Sequence, residues 1–187
     1  MPRTHRLTRV VAVAIALAAA LSLAGCSSKQ QPQAAAPSKP SVPYVVKVTA
    51  VTGKLAPRSR RVVRNRVAHV VHDWWDAAYL VPGGSDVFAA FTPGAAKLAQ
   101  RDADLLSDRD RARGADVRRQ GIELDVLAVK GAARGVTARL HLVYDRPGGT
   151  TRCGVGGTVS LIPVGHAWRI FGYDVTHTCR PRKGAGS

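Results

Sequence analysis

Histidines, tryptophans and cysteines are the side chains of this sequence whose types and spacing could do chemistry. His69 and His72, in the stretch HVVHD, stand three residues apart and can share a helix face, and His141 could add a ring nitrogen from a strand. A zinc ion takes three or four ligands, so two helix histidines fall short, and the expectation is exposed imidazoles with no metal and no cofactor. Trp74 and Trp75 are adjacent, and neighbours on an ideal helix point about 100° apart. Only one of them can face a core. Trp74 and Trp168 are therefore read as core, and Trp75, with Tyr79, as a candidate pocket rim or contact surface. The cysteines are Cys26 near the start and Cys153 and Cys179 far downstream.

The elements that must position these groups follow from hydrophobic periodicity. YVVKVTAVTGKL (44–55) is rich in β-branched residues and predicts an opening strand. From about Arg60 to Leu80, the residues Val63, Val67, Val70, Val71, Trp74, Ala77 and Ala78 recur at helical spacing. The stretch VPGGSD then breaks the pattern. Thr92-Pro93 offers a capping hydroxyl and a first-turn proline, which predicts a second helix to about Ser107. DRDRARGAD, alternating in sign, reads as an exposed loop.

From Gly121 the period becomes two. Ile122, Leu124 and Val126 lie on one face of a strand, and Val136, Ala138, Leu140, Leu142 and Tyr144 on one face of the next. Two more strands, TRCGVGGTVSLI and AWRIFGYDV, flank a turn around Pro163 to Gly165. Helices before meandering strands predict an α+β fold, with long N-terminal helices packed on an antiparallel sheet of four or more strands. In that sheet Asp125 faces away from the core, while Asp174 is expected to pair with Arg169 or Arg180.

The N-terminus carries an address. Arg3, Arg6 and Arg9 precede VVAVAIALAAALSLAG, an apolar run shorter than the ~20 residues of a membrane span. A basic start, a short apolar run and small residues describe a secretory signal over 1–25. Leu23-Ala24-Gly25-Cys26 resembles the bacterial lipobox, and that resemblance implies cleavage before Cys26 and diacylglycerol on its sulfur. Two or three acyl chains, at ~0.8 kcal/mol per buried methylene, anchor durably where one does not. Residues 26–43, with Pro32, Pro37, Pro40 and Pro43, then read as a tether. The domain is placed at 44–180 and a basic flexible tail at 181–187. An exported domain favours disulfides, so Cys153 and Cys179 are expected to pair across the last hairpin, with position 153 opposite about 176 and a bulge at Gly154, Gly156 or Gly157 closing the offset.

The net charge is +16, and setting aside Arg3, Arg6, Arg9, Lys29 and Lys39 leaves +11 for residues 44–187. Such an excess attracts anions. In an exported protein these are lipid headgroups, wall polymers or acidic partners, and nucleic acid is excluded as a partner. The densest cluster is Arg58, Arg60, Arg61 and Arg64, a candidate anionic-surface patch on the first helix, and an Arg-rich, Ala/Gly/Val-rich composition accounts for the charge equally well.

WWDAAY (74–79), FTPGAA (91–96), LDVLAV, GVTARL and WRIFGYDV, in that order, resemble the nuclear transport factor 2-like superfamily, and more narrowly small actinobacterial lipoproteins carrying that domain. The resemblance implies a sheet curved around the first helix into a cone with a pocket at its wide end. It also covers isomerases and cyclases, for which Asp76 would be the base and Tyr79 the hydroxyl donor, and accessory domains of envelope transport systems. No matched acid/base pair is evident among Asp76, Asp125, Asp174 and Tyr79. The expected function is therefore a non-catalytic, membrane-anchored extracytoplasmic domain that binds a small or lipidic ligand or an envelope partner. The oligomeric state is left open.

Overall fold

The computed structural model describes residues 42–81, 86–112 and 114–182. The expected signal segment, Cys26, most of the expected tether and residues 183–187 lie outside them. Five strands and three helices follow in the order β1 (Tyr44–Thr52), α1 (Pro57–Trp75), α2 (Pro93–Ala99), α3 (Ala103–Leu106), β2 (Asp116–Val129), β3 (Ala132–Asp145), β4 (Thr151–Val164) and β5 (Ala167–Pro181). The α+β class is as expected. No helix among the described residues is long and apolar enough to cross a membrane.

The helices depart from expectation. Only α1 is long. It starts at Pro57, whose missing N–H costs nothing in a first turn. Past Trp75 the chain widens into one π-helical turn, Asp76–Leu80, closed by Val81 N–H donating to the Asp76 carbonyl at 2.8 Å. The expected second helix is two short pieces. Thr92 caps α2, its hydroxyl accepting from Ala95 N–H at 3.4 Å, but the chain turns at Gln100–Asp102 before α3.

The strands lie in chain order in one sheet, β1-β2-β3-β4-β5. It is mixed, which corrects the antiparallel expectation: β1 pairs parallel to β2, while β2 to β5 meander antiparallel. A parallel neighbour requires a crossover, and α1 with the following turns provides it. The β2–β3 turn is Lys130-Gly131, both with positive φ (51° and 78°), which suits the twist of a two-residue hairpin.

One sheet face is apolar and covered. Leu124, Ala138, Leu140, Val159 and Leu161 form a buried cluster with Val63, Val67, Val71 and Trp74 of α1. At Gly157 the backbone of β5 leaves no room for a side chain. The glycine's φ is +102°, and a Cβ there would meet the Asp174 carbonyl oxygen at 2.1 Å.

The Cys153–Cys179 disulfide is present. The two residues are direct cross-strand partners, so the expected opposition of 153 and 176 was misregistered. The turn is Gly165-His166, shifted towards the C-terminus of the expected Pro163 to Gly165, and the bulge lies at Phe171, between the rungs Ser160–Gly172 and Leu161–Ile170. Nor does the chain fray at 181, since Pro181 ends β5 and Arg182 N–H donates to the Thr150 carbonyl at 2.8 Å.

Candidate functional site

The C-terminal half of α1 and its π turn lie beside β5 and the chain before α2, leaving a groove of about 510 Å³. Its walls are mainly apolar: Val70, Ala77, Ala90, Ala167 and Trp168, with Asp73, Asp76 and Arg169 at the polar edge. Arg169 donates to the Ala89 carbonyl. The π turn begins at Asp76, which still pairs with His72 one α-helical turn back, and its extra residue re-aims the side chains after Asp76, Tyr79 among them; such turns recur at functional sites. Burial raises the Asp76 carboxyl above its ordinary value, against the pull of His72, whose Nδ1 lies 3.2 Å away.

Tyr79 does not join Asp76 there. It is fully buried, its hydroxyl donates to the Leu105 carbonyl at 3.2 Å, and its ring packs edge-on to Trp74 and beside His177. An isomerase-type base and donor are therefore not assembled from this pair. The tryptophan assignment is also corrected. Trp75 is fully buried, edge-on to Tyr44, because β1 covers the side of α1 that was read as open. Trp168 is the tryptophan that meets the groove. The indole nitrogens of Trp74 and Trp75 have no hydrogen-bond partner among the described residues.

The histidines of the first helix do not form a donor set. His69 pairs with Asp73 at 3.3 Å and His72 with Asp76, each one turn along, while His141 is exposed on the opposite sheet face. Asp125 faces away from the core as read. It accepts from the Thr49 hydroxyl at 2.6 Å and lies 3.6 Å from Arg139. Asp174 is exposed and makes no ion pair among the described residues. Of the arginine patch, Arg60, Arg61 and Arg64 flank a cleft of about 500 Å³ with Lys47 of β1. Arg58 is exposed and does not line it.

At the other end of the β4–β5 hairpin lies a polar cluster that the sequence did not announce. Asp108, read as part of an exposed loop, is buried. It takes two bonds from Arg146, Nε to Oδ2 at 2.8 Å and Nη2 to Oδ1 at 2.7 Å, and one from the Tyr144 hydroxyl at 2.9 Å. That hydroxyl has one proton, and the carboxylate can only accept it, so the Tyr144 oxygen accepts from His177 Nε2–H at 2.9 Å. Burial pushes the Tyr144 phenol up and holds the His177 imidazole below its usual range. Asp108, Cys153, His177 and Cys179 bring potential metal donors within 4.8 Å of one another. The two sulfurs are bonded to each other, however, and Asp108 is engaged by Arg146 and Tyr144. As it stands the cluster is structural.

No family model matches the chain, and no curated protein matches it. A solved structure described as an "Ntf2 like protein involved in plasmid conjugation" aligns with it at 14% identity and a TM-score of 0.41. The alignment covers 79% of this chain and 47% of that one, so the chain spans about half the length of its match.

A second buried carboxylate completes the polar end. Asp145 is 1% exposed and is approached by Arg118, Arg152 and Arg182. The hydrogen bond from Arg152, with that from Arg118, outweighs burial and holds its carboxyl down at about 2. Tyr144-Asp145-Arg146 at a strand end was the available signal for both clusters, but its partners come from the loop at Asp108 and from β2, β4 and β5, far apart in sequence.

Proposed function

We propose that the chain is a lipid-anchored extracytoplasmic protein whose nuclear transport factor 2-like domain binds a small lipidic ligand and performs no reaction on it. The observation that carries this reading is the groove between α1 and β5. Its volume of about 510 Å³ is that of a small-molecule site, and such sites are mainly apolar with a few convergent polar groups. Asp73, Asp76 and Arg169 supply charges of both signs at the rim, enough to orient an amphipathic molecule. A base without its hydroxyl donor argues for binding over isomerisation. The lipobox resemblance and the tether support a membrane address for that binding.

The test uses the full chain purified from membranes and a fluorescent fatty-acid probe. Saturable binding that is displaced by extracted envelope lipids, and lost in Ala167→Arg, is the expected result. Ala167 is exposed, so the arginine can block the groove without entering the core. Probe binding unchanged by Ala167→Arg contradicts the groove, and turnover of a 3-keto steroid abolished by Asp76→Asn contradicts a non-catalytic role.

A further inference from the structure

The disulfide end of the β4–β5 hairpin holds more cationic charge than its carboxylates balance. Arg152, Arg180 and Arg182 line a cleft of about 550 Å³ together with Gly154 and Thr178. Behind them Asp145 accepts from Arg118 Nε at 2.7 Å and Arg152 Nε at 2.8 Å, with Arg182 Nη1 at 3.4 Å. A guanidinium carries five N–H donors and a carboxylate about four acceptor sites. Three arginines around one carboxylate thus keep a surplus of donors, and their side chains remain 42–46% exposed. Arg118 is also bonded to Asp116, at 2.6 Å. Setting that pair aside, the cleft arginines exceed Asp145 by two charges.

Arg180 sharpens the imbalance. It is the direct cross-strand partner of Arg152, on the rung next to Cys153–Cys179, and has no ionic partner among the described residues. Like charges directly opposite each other destabilise an antiparallel pair. Here the covalent bridge on the adjacent rung holds the register, so the two arginines cannot slip apart. The Nε/Nη2 fork of Arg152 is held by Asp145, which leaves its remaining guanidinium donors for the cleft; paired guanidiniums are a usual grip on a planar or tetrahedral oxyanion.

We infer that this cleft is a receptor for a phosphate oxyanion. Arg152 and Arg180 bind it from opposite strands, Arg182 flanks it, and Asp145 is the positioning residue that fixes Arg152 and Arg182. The disulfide serves the site by clamping the rung beside it. The inference is independent of the groove reading, and either can fail alone. A phospholipid headgroup and free phosphate share the recognised chemistry, and the experiment separates them.

The full chain carrying Cys26→Ser, so that no acyl chain contributes, is titrated with inorganic phosphate at low ionic strength and followed by NMR and calorimetry. In parallel it is sedimented with phosphatidylglycerol or phosphatidylcholine vesicles. Saturable phosphate binding with shifts at Arg152, Gly154, Thr178 and Arg180 is expected. Arg180→Gln, an exposed position outside the Asp145 network, should weaken it on the order of tenfold, the usual loss for a hydrogen bond to a charged group. Arg60→Gln with Arg64→Gln should leave it unchanged. Phosphatidylglycerol vesicles that compete with phosphate identify the headgroup as the source, and phosphate binding without vesicle binding identifies a soluble phosphate. Absence of saturable phosphate binding, or an equal loss from the helix variants, overturns the receptor.

Discussion

Asp76 and Asp145 stand at opposite ends of the β4–β5 hairpin, and their carboxyls are displaced in opposite directions. Asp76, at the edge of an apolar groove, pairs with His72 and lies near the Asp73 carboxylate, and burial pushes its carboxyl up. Asp145 is far more buried, yet its carboxyl is held down at about 2, because permanently charged guanidiniums surround it. Low solvent exposure alone does not set the sign. The number of fixed cations in contact does. The turn end is accordingly an apolar recess with a sparse polar rim, suited to an amphipathic guest, and the open end is a rigid polar frame with donors to spare.

Breaking the frame should cost most. Replacing Cys153 and Cys179 together by alanine removes a bridge spanning 26 residues, worth roughly 3.5 kcal/mol in the chain-entropy model, read as a lower urea midpoint. A smaller loss, about 3 kcal/mol, is expected for Asp145→Asn, because removing one partner of a buried pair leaves its charges uncompensated. Urea unfolding at neutral pH measures that as well. If Asp145→Asn proves neutral, the frame does not depend on its carboxylate.

Acid should expose the frame by pH. His177 is held below its ordinary value of 6.5 by burial, so below that pH the unfolded chain takes up a proton that the folded one resists, and stability falls. Asp145 repeats the argument lower down: its contribution is complete above 3.8 and is lost as pH falls from there towards 2. Thermal melts across pH 2 to 7 should show both declines, and Asp145→Asn should abolish the lower one. At the turn end the effect is smallest. Asp76→Asn removes a carboxylate that burial disfavours but also its pairing with His72, so stability should move by no more than ~0.5 kcal/mol, with probe binding retained. A loss of several kcal/mol would make Asp76 part of a frame like that of Asp145.

Much of the fold was legible, and the reason is local. Alternation over Ile122 to Val126 and Val136 to Tyr144 located β2 and β3, and two cysteines in one hairpin located the bridge. The parallel partner of β1 was not legible, because no local pattern states which strand a crossover returns to. Trp75 was misjudged for the same reason: one helix face looked open until β1 covered it. The groove was half legible, since Asp76 was named for it, but a π turn that separates Asp76 from Tyr79 leaves no mark in the apolar spacing. Asp108, Tyr144 and His177 meet from a loop and two strand ends, and Asp108 sits in a charged stretch that reads as solvent-exposed. Only tertiary packing buries it.

The most direct test of two distinct ends is one ¹⁵N-labelled sample of the full chain, titrated first with the fatty-acid probe and then with inorganic phosphate. Two separate sets of shifted amides are predicted, one around Ala77, Ala90 and Trp168 and one around Arg152, Thr178 and Arg180. A single shared set, or shifts confined to the arginines of α1, would contradict the account.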